Sequence, residues 1–371
     1  MPVTFRNKPL RWPWRHRKSS DQVVVSWVGK TLAFVRGRAR KEGGYEIRQM
    51  GVERQGAMSD EDFMRRLQSI GLKGAQVRFM LRPEQYQLLQ IDAPVVAPEE
   101  LRAAARYQIR DMLDVHVDDI TLDIMRVGDG RQKGTPHLFV VAAANATLRQ
   151  ALALGQSLDW DVPVIDVQET AQRNLQTALA IRNKLPDRAH AALVLGDEHQ
   201  AVLTISANEE LFYTRRLELP AGLMNGSWSL AGDERTSPAS DYTPVGEYVP
   251  DYSVDGASYG NDYSAATAEK KDQTPSGSDD RDKAQRFLVE VQRSLDLWDR
   301  SWSSMPLASV QVFAGEHTNE LAQWLTRELG QTVVPMDVKD LFGGFERASL
   351  IDQAVCWPLL GTLMRTESRK L

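Results

Sequence analysis

Apolar positions near the start of the chain come in short runs divided by turn residues. Residues 23–27 (VVVSW) read as a buried strand, Gly29-Lys30 as a turn and 31–35 as a returning strand. After the charged turn 36–44, residues 45–52 read as a third strand. The same arrangement recurs later: strands at 192–195, 201–206 and 211–217, with turns at Gly196-Asp197 and Asn208-Glu209. Two three-stranded meanders predict two lobes that each begin on the same unit. Sequence identity between the two stretches is slight, so the repeat rests on pattern.

The intervening chain alternates strand and helix. Ser59-Asp60-Glu61-Asp62 opens a helix to about 69 as a capping box. Strands follow at 76–81 and 86–91. Pro98 suits the first position of a helix over 99–113, with Leu101, Ala105, Ile109 and Met112 on one face. Strands at 120–127, 136–143 and 162–167 alternate with helices at 147–158 and 169–183. Beyond the second meander, Phe287, Val291, Leu295 and Trp298 repeat at helical spacing and predict a helix over 283–301. A strand at 310–313, a helix at 316–329, a short strand at 333–334 and a closing helix at 350–364 complete the reading. Pro358 is expected to kink or interrupt that last helix.

Composition adds two features. The 371 residues carry a net charge of −5, with 42% hydrophobic and 26% charged residues, as in ordinary globular proteins. The charge is uneven. Residues 1–20 hold six Lys or Arg and no acid, with Phe5, Trp12 and Trp14 interleaved. That suits either contact with an anionic membrane surface or a solvated terminus. Residues 225–282 hold twelve acids and four bases and five of the nine tyrosines, and are poor in aliphatic side chains. This predicts an acidic, disordered insert, a tether whose tyrosines are candidate stickers for a partner. The expected organisation is a basic tail over 1–20, lobe one over 21–190 with an extra subdomain at about 57–146, and lobe two over 191–224 and 283–371.

The signals of most enzymes are lacking. One cysteine, Cys356, excludes an internal disulfide and suits a reducing compartment. The six histidines share no metal-ligand spacing, and the longest apolar run, 138–144, is too short to span a bilayer. The basic start is not followed by an apolar run, so no secretory signal is expected and the chain is expected to be cytoplasmic. Gly29-Lys30-Thr31 looks like the end of a phosphate loop. The partner glycine is missing, with Val24 in its place, and the following residues read as a strand rather than a helix. The acidic run Asp114, Asp118, Asp119, Asp123 reads as a solvated edge. No nucleic-acid partner is expected.

Several stretches, in order, resemble the PilM group of actin-like pilus-assembly proteins, and within it the MshI branch of MSHA-type type IV pili. They are residues 105–119 (ARYQIRDMLDVHVDD) continuing to Asp123, the run 138–144, Val164-Ile165-Asp166-Val167, residues 212–215, then Glu290, Arg293, Ser294 and Leu295, and finally Val312-Phe313-Ala314-Gly315. The resemblance covers nearly all of 23–365 apart from the insert. It implies an α/β, actin-like (ASKHA, ribonuclease H-like) two-lobed fold with an extra subdomain in lobe one and a reduced outer subdomain in lobe two. It also places a nucleotide site at Ser26, Gly29, Lys30, Gly196, Asp197 and Gly315.

That site departs from the group's pattern. Trp27 and Val28 are bulky, Glu198, His199 and Gln200 stand where small residues are usual, and Ala314-Gly315-Glu316 replaces a glycine pair. The expectation is a pseudo-ATPase with degenerate phosphate loops and no required cofactor, ATP binding being weak or absent. The resemblance further implies a scaffold under the inner membrane. It would capture the cytoplasmic tail of a PilN-like single-pass protein in a groove beside the extra subdomain and would meet a pilus assembly motor. Tyr107, Ile109 and Met112 are candidates for that groove, with core packing the competing reading. A nucleotide-gated ATPase or switch of the same fold, in pilus or type II secretion assembly, is the alternative function, and a membrane-surface adaptor is a third.

Overall fold

The computed structural model describes residues 21–127, 136–196, 200–220, 223 and 276–366. The basic tail and most of the acidic insert lie outside the described residues.

Lobe one opens with the antiparallel meander β1 (Asp21–Val28), β2 (Thr31–Ala39) and β3 (Tyr45–Arg54). Helix α1 (Asp60–Ser69) follows, capped by Ser59, whose hydroxyl accepts from the Asp62 amide at 3.1 Å. Strand β4 (Gln76–Leu81) then pairs parallel to β1, and β8 (Asp161–Val167) parallel to β4. Lobe two repeats this plan with β9 (Ala189–Leu195), β10 (Gln200–Ala207), β11 (Glu210–Glu218), β12 (Leu307–Phe313) and β13 (Val333–Pro335). The strand orders are β3-β2-β1-β4-β8 and β11-β10-β9-β12-β13, with the same parallel and antiparallel neighbours. The repeated meander is thus part of a repeated five-stranded topology. A two-residue strand, β14 (Phe342–Gly343), crosses back from lobe two and joins the lobe-one sheet beside β3.

Two helices lie between the lobes. Helix α4 (Gln168–Arg182) leaves β8 of lobe one, yet its glutamines bond to the strands of lobe two. Gln172 Nε2 donates to the carbonyls of Ala192 (2.8 Å) and Val202 (3.1 Å). One turn on, Gln176 Nε2 donates to His190 (2.7 Å) and Thr204 (3.2 Å), and the Thr204 hydroxyl donates back to Gln176 Oε1. Helix α7 (Leu350–Leu363) packs across α4 and the lobe-one sheet. One apolar cluster therefore joins Val24, Val35 and Met80 of lobe one, Ala192, Val194 and Phe313 of lobe two, and Leu175, Trp357 and Leu360 of the two helices. The expected break at Pro358 does not occur, because α7 runs through it. The ring removes only the donor to the Ala354 carbonyl, and burial on both sides holds the remaining turns.

The extra subdomain sits between β4 and β8. Strands β5 (Gln87–Asp92), β6 (Ile120–Val127) and β7 (His137–Ala144) form a separate sheet of order β5-β7-β6, carrying helix α2 (Leu101–Gln108). Its central strand, β7, is buried on both faces. Leu138, Val140 and Ala142 pack under α2, whereas Phe139 packs on the lobe-two core and Ala143 on the lobe-one core. The unbroken apolar run 138–144 has this cause. Helix α3 (Asn145–Ser157) returns the chain to β8.

Several boundaries differ from the sequence reading: β2 runs on to Ala39 through residues read as a turn, β9 begins at Ala189, and larger shifts occur elsewhere. The extra subdomain begins with β5, not near 57: Phe63 and Leu67 of α1 pack in the lobe-one core with Val25 and Phe79. Helix α2 ends at Gln108 instead of 113, because the Arg106 guanidinium bonds the carbonyls of Val117 (2.6 Å) and Ile120 (3.3 Å) and draws the following turns back over the sheet. Helix α5 (Ser276–Ser301) begins seven residues before 283, inside the range read as insert. The last helix of lobe two, α6 (Thr318–Leu329), ends at Gly330 with φ 66°, a left-handed cap.

Candidate functional site

The positions aligned with a nucleotide site sit at the ends of β1, β9 and β12. Ser26 is buried within β1 opposite Ala33. Gly29 makes the β1–β2 turn at φ 57°. Lys30 does not point across the lobes; its Nζ pairs with Asp60 Oδ1 at 2.9 Å, and the same oxygen accepts from Gln55 Nε2 at 2.7 Å. The Lys30 hydrogen bond and charge, with the Gln55 bond, lower the Asp60 pKa. Trp27 lies on Phe63 with ring centroids 5.9 Å apart, and its carbonyl accepts from Gln85. This hairpin is thus tied to its own lobe.

In lobe two, a side-chain carbon at Gly196 would touch Pro358 of α7 at 3.6 Å. One at Gly315, whose φ is 57°, would touch Ala354 at 3.3 Å. Asp197, with Glu198 and His199, lies outside the described residues. The space between α4 and α7, lined by Gln168, Gln172, Trp357 and Pro358, amounts to about 10 Å³, enough for one water. Two buried polar atoms without partners, Trp357 Nε1 and Gln172 Oε1, belong to residues of that lining. Among the described residues of this site, Lys30 is paired with an aspartate, and Gly196 and Gly315 lie beside helix α7.

A buried polar node, which the sequence reading missed, joins the lobes at the linker from β4 into the extra subdomain. Glu169, fully buried in the first turn of α4, accepts a hydrogen bond from the Tyr86 hydroxyl and pairs with Arg216 of β11 at 3.0 Å. Arg216 also donates to the carbonyls of Pro83 (2.6 Å) and Tyr86 (3.2 Å), and its guanidinium lies 4.5 Å from the Tyr86 ring centroid. The Gln168 amide donates to the Tyr86 oxygen at 3.1 Å. Burial and the Glu169 charge push the Tyr86 hydroxyl well above its ordinary pKa, so it keeps its proton. Burial opposes the charge of Arg216, but Glu169 and Tyr86 outweigh it and raise its pKa. One strand of lobe two thereby grips the linker to the extra subdomain. The adjacent Arg215 faces the other way and pairs with Glu290 of α5. Adjacent arginines on one strand carry the period-two signal, though nothing local names their partners.

The partner-groove candidates divide. Ile109 is fully buried in the subdomain core, so it cannot meet a partner. Tyr107 is 74% exposed and Met112 48% exposed, with Val115 beside them at 42%. Because α2 stops at Gln108, Met112 leaves the buried stripe that Leu101, Ala105 and Ile109 continue. Among the described residues no cluster of His, Cys, Asp or Glu is placed to hold a metal, and no helix is long and apolar enough to cross a membrane.

Two lobes of one topology, two helices between them and a small sheet inserted after the fourth strand define an actin-like fold. The protein superposes on a chain of the PilM–PilN type IV pilus biogenesis complex with a TM-score of 0.60 at 13% identity, over 93% of this chain and 98% of that one. The cytoplasmic domain of EpsL, an inner-membrane component of the type II secretion system of Vibrio cholerae, gives 0.39 at 15% identity, over 60% and 79%. MreB 5 of Spiroplasma citri bound to AMPPNP gives 0.35 at 10%, over 92% and 95%. Neither a family model nor a curated protein sequence matches the chain.

Proposed function

We propose that this chain is a non-catalytic scaffold of type IV pilus assembly, of the MSHA type, acting on the cytoplasmic side of the inner membrane. It holds the cytoplasmic tail of a PilN-like single-pass protein against its extra subdomain. The observation that carries this reading is the end-to-end overlap with a chain of the PilM–PilN complex. Exposed Tyr107 and Met112 support the subdomain as the docking element. The pairing of Lys30 with Asp60 and the place of α7 beside Gly196 and Gly315 support a scaffold over an ATPase, as does the Glu169–Arg216 node, which ties the lobes together through protein groups alone.

The test titrates the N-terminal cytoplasmic peptide of the PilN-like protein, and separately ATP with magnesium, into the purified chain by calorimetry. Saturable peptide binding, weakened about tenfold or more by Tyr107→Ala as expected for loss of an aromatic anchor, with no ATP heat, supports the scaffold. Micromolar ATP affinity that is lost in Gly315→Val would replace it with the nucleotide-switch reading. Absence of peptide binding removes the proposed partner.

A further inference from the structure

We propose that the N-terminal segment of this chain, residues 1–20, docks on the exposed edge of the extra subdomain around Tyr107, Met112 and Val115 and competes there with the partner peptide. The competition rests on the reading of that edge as the partner site; the docking itself does not.

The edge is both apolar and acidic. Between Ile109 and Asp123 stand five aspartates and one basic residue other than histidine, Arg110. Arg110 is occupied by Asp111 at 3.1 Å and Asp123 by Arg102 at 2.9 Å. Asp114 receives the Gln87 amide, and Asp118 lies by the His116 ring at 3.6 Å. Among the described residues no lysine or arginine pairs with Asp114, Asp118 or Asp119. Among the described residues, three carboxylates without a lysine or arginine partner thus stand in the same stretch as three exposed apolar side chains. The carboxylates favour a cationic ligand and the apolar side chains an aromatic one, one face of the Tyr107 ring being already covered by the Arg110 guanidinium at 5.4 Å from its centroid.

Residues 1–20 have that composition. Six Lys or Arg alternate with Phe5, Trp12 and Trp14, and no acid interrupts them. The segment joins the fold at Asp21, the first residue of β1. β1 runs parallel to β4, whose far end leads through Pro83–Gln85 into the extra subdomain. Eight strand residues cover about 26 Å, whereas Phe5 reaches at most about 53–58 Å from Asp21, Trp12 about 30–32 Å and Trp14 about 23–25 Å. Phe5, Arg6 and Lys8 can therefore pass the end of β4 toward the edge, whereas Trp14 falls short of it. Tethering places it there at an effective concentration on the order of millimolar, so modest intrinsic affinity suffices. A partner peptide would then bind more weakly by the fraction of edge left free.

The experiment compares the full chain with a chain lacking residues 1–20. A nitroxide at position 8 (Lys8→Cys with Cys356→Ser) should broaden the amide signals of residues 107–119 in the full chain. A synthetic peptide of residues 1–20 should bind the shortened chain, and lose affinity about tenfold or more when salt rises from about 50 mM to about 500 mM. Its affinity should fall similarly in Asp114→Asn/Asp118→Asn/Asp119→Asn and in Tyr107→Ala. Removing residues 1–20 should raise affinity for the PilN-like cytoplasmic peptide about tenfold if the segment covers the edge nine-tenths of the time. No broadening at 107–119 together with no peptide binding overturns the proposal. So does binding of residues 1–20 to anionic vesicles alone, with the edge unaffected. If the shortened chain binds the PilN-like peptide no better than the full chain does, the competition fails while the partner reading stands. If residues 1–20 dock but the PilN-like peptide binds neither form, the docking stands and the partner reading fails.

Discussion

Gly361 of α7 lies against Ala171 of α4 so closely that a side-chain carbon at position 361 would sit 1.8 Å from the Ala171 carbonyl oxygen. The obstacle is backbone, so no rotamer change relieves it. The Asn174 amide also donates to the Gly361 carbonyl at 3.2 Å, fixing the crossing point. These two helices carry the shared core between the lobes.

Gly361→Ala is therefore expected to be destabilising in spite of the better helix propensity of alanine. Overpacking of this kind costs about 1–3 kcal/mol, and a backbone clash falls at or above the upper end. Urea unfolding should show a lower midpoint. Amides of α4 and α7 should exchange faster, while those of the small sheet β5-β7-β6 keep their protection. Unchanged stability would mean that the helices separate without cost and do not bind the lobes together.

The Tyr86–Glu169–Arg216 node should behave as one unit. Removing the arginine leaves a carboxylate buried and unpaired, which costs about 3–5 kcal/mol. Arg216→Met is thus predicted to be worse than Tyr86→Phe, which forfeits the bond to a charged acceptor, about 1.5–3 kcal/mol, and the one accepted from the Gln168 amide, about 0.5–1.5 kcal/mol. The double variant Arg216→Met/Glu169→Leu should recover part of the loss, since both charges then disappear. Additive costs in a double-mutant cycle would show that the two side chains are not coupled.

The same node predicts an alkaline limit. The Tyr86 pKa is raised in the folded chain by burial and by Glu169. A raised pKa means that the native state holds its proton more tightly than the unfolded state. The stabilisation is complete below the unfolded tyrosine pKa, about 10, and is lost as pH rises beyond it. Urea midpoints measured from about pH 8 to 11 should fall more steeply in the parent chain than in Tyr86→Phe. Parallel slopes would remove Tyr86 as the cause.

The node illustrates what the sequence could not disclose. Strands and meanders were legible, because alternation and turn residues are local signals. The first strands of the two units begin at Asp21 and Ala189, two and three residues before the pattern placed them. Glu169 and Arg216, by contrast, look like ordinary charged positions, since their partners lie far along the chain. The same holds for Gln172 and Gln176, polar residues on α4 that bond strands of the other lobe. The α2 stripe was legible up to Ile109. Met112 continued it only on the assumption that the helix did, and the Arg106 bonds to Val117 and Ile120 end that helix sooner. At the candidate nucleotide site, Gly29 and Gly196 could be placed from the turns, and Gly315 from the resemblance. That Lys30 would turn to Asp60, and that α7 would lie on two of the glycines, depends on contacts that no local pattern carries.

Cys356 provides a further test of the shared core. Its thiol is fully buried on α7, with Sγ 3.5 Å from the Gly51 carbonyl and 3.7 Å from that of Phe34. Burial, with the nearby Asp352 charge, pushes its pKa up to about 12. The thiolate is the reactive form, so the native thiol should be inert near neutral pH. A chromogenic disulfide reagent is expected to titrate no thiol in the folded chain over hours and one thiol in denaturant. In the presence of Gly361→Ala, labelling should accelerate, because loosening the α4–α7 crossing opens the face of α7 that carries Cys356. Prompt labelling of the unaltered chain would place Cys356 outside the core, and the helix pair could not then act as the bridge between the lobes.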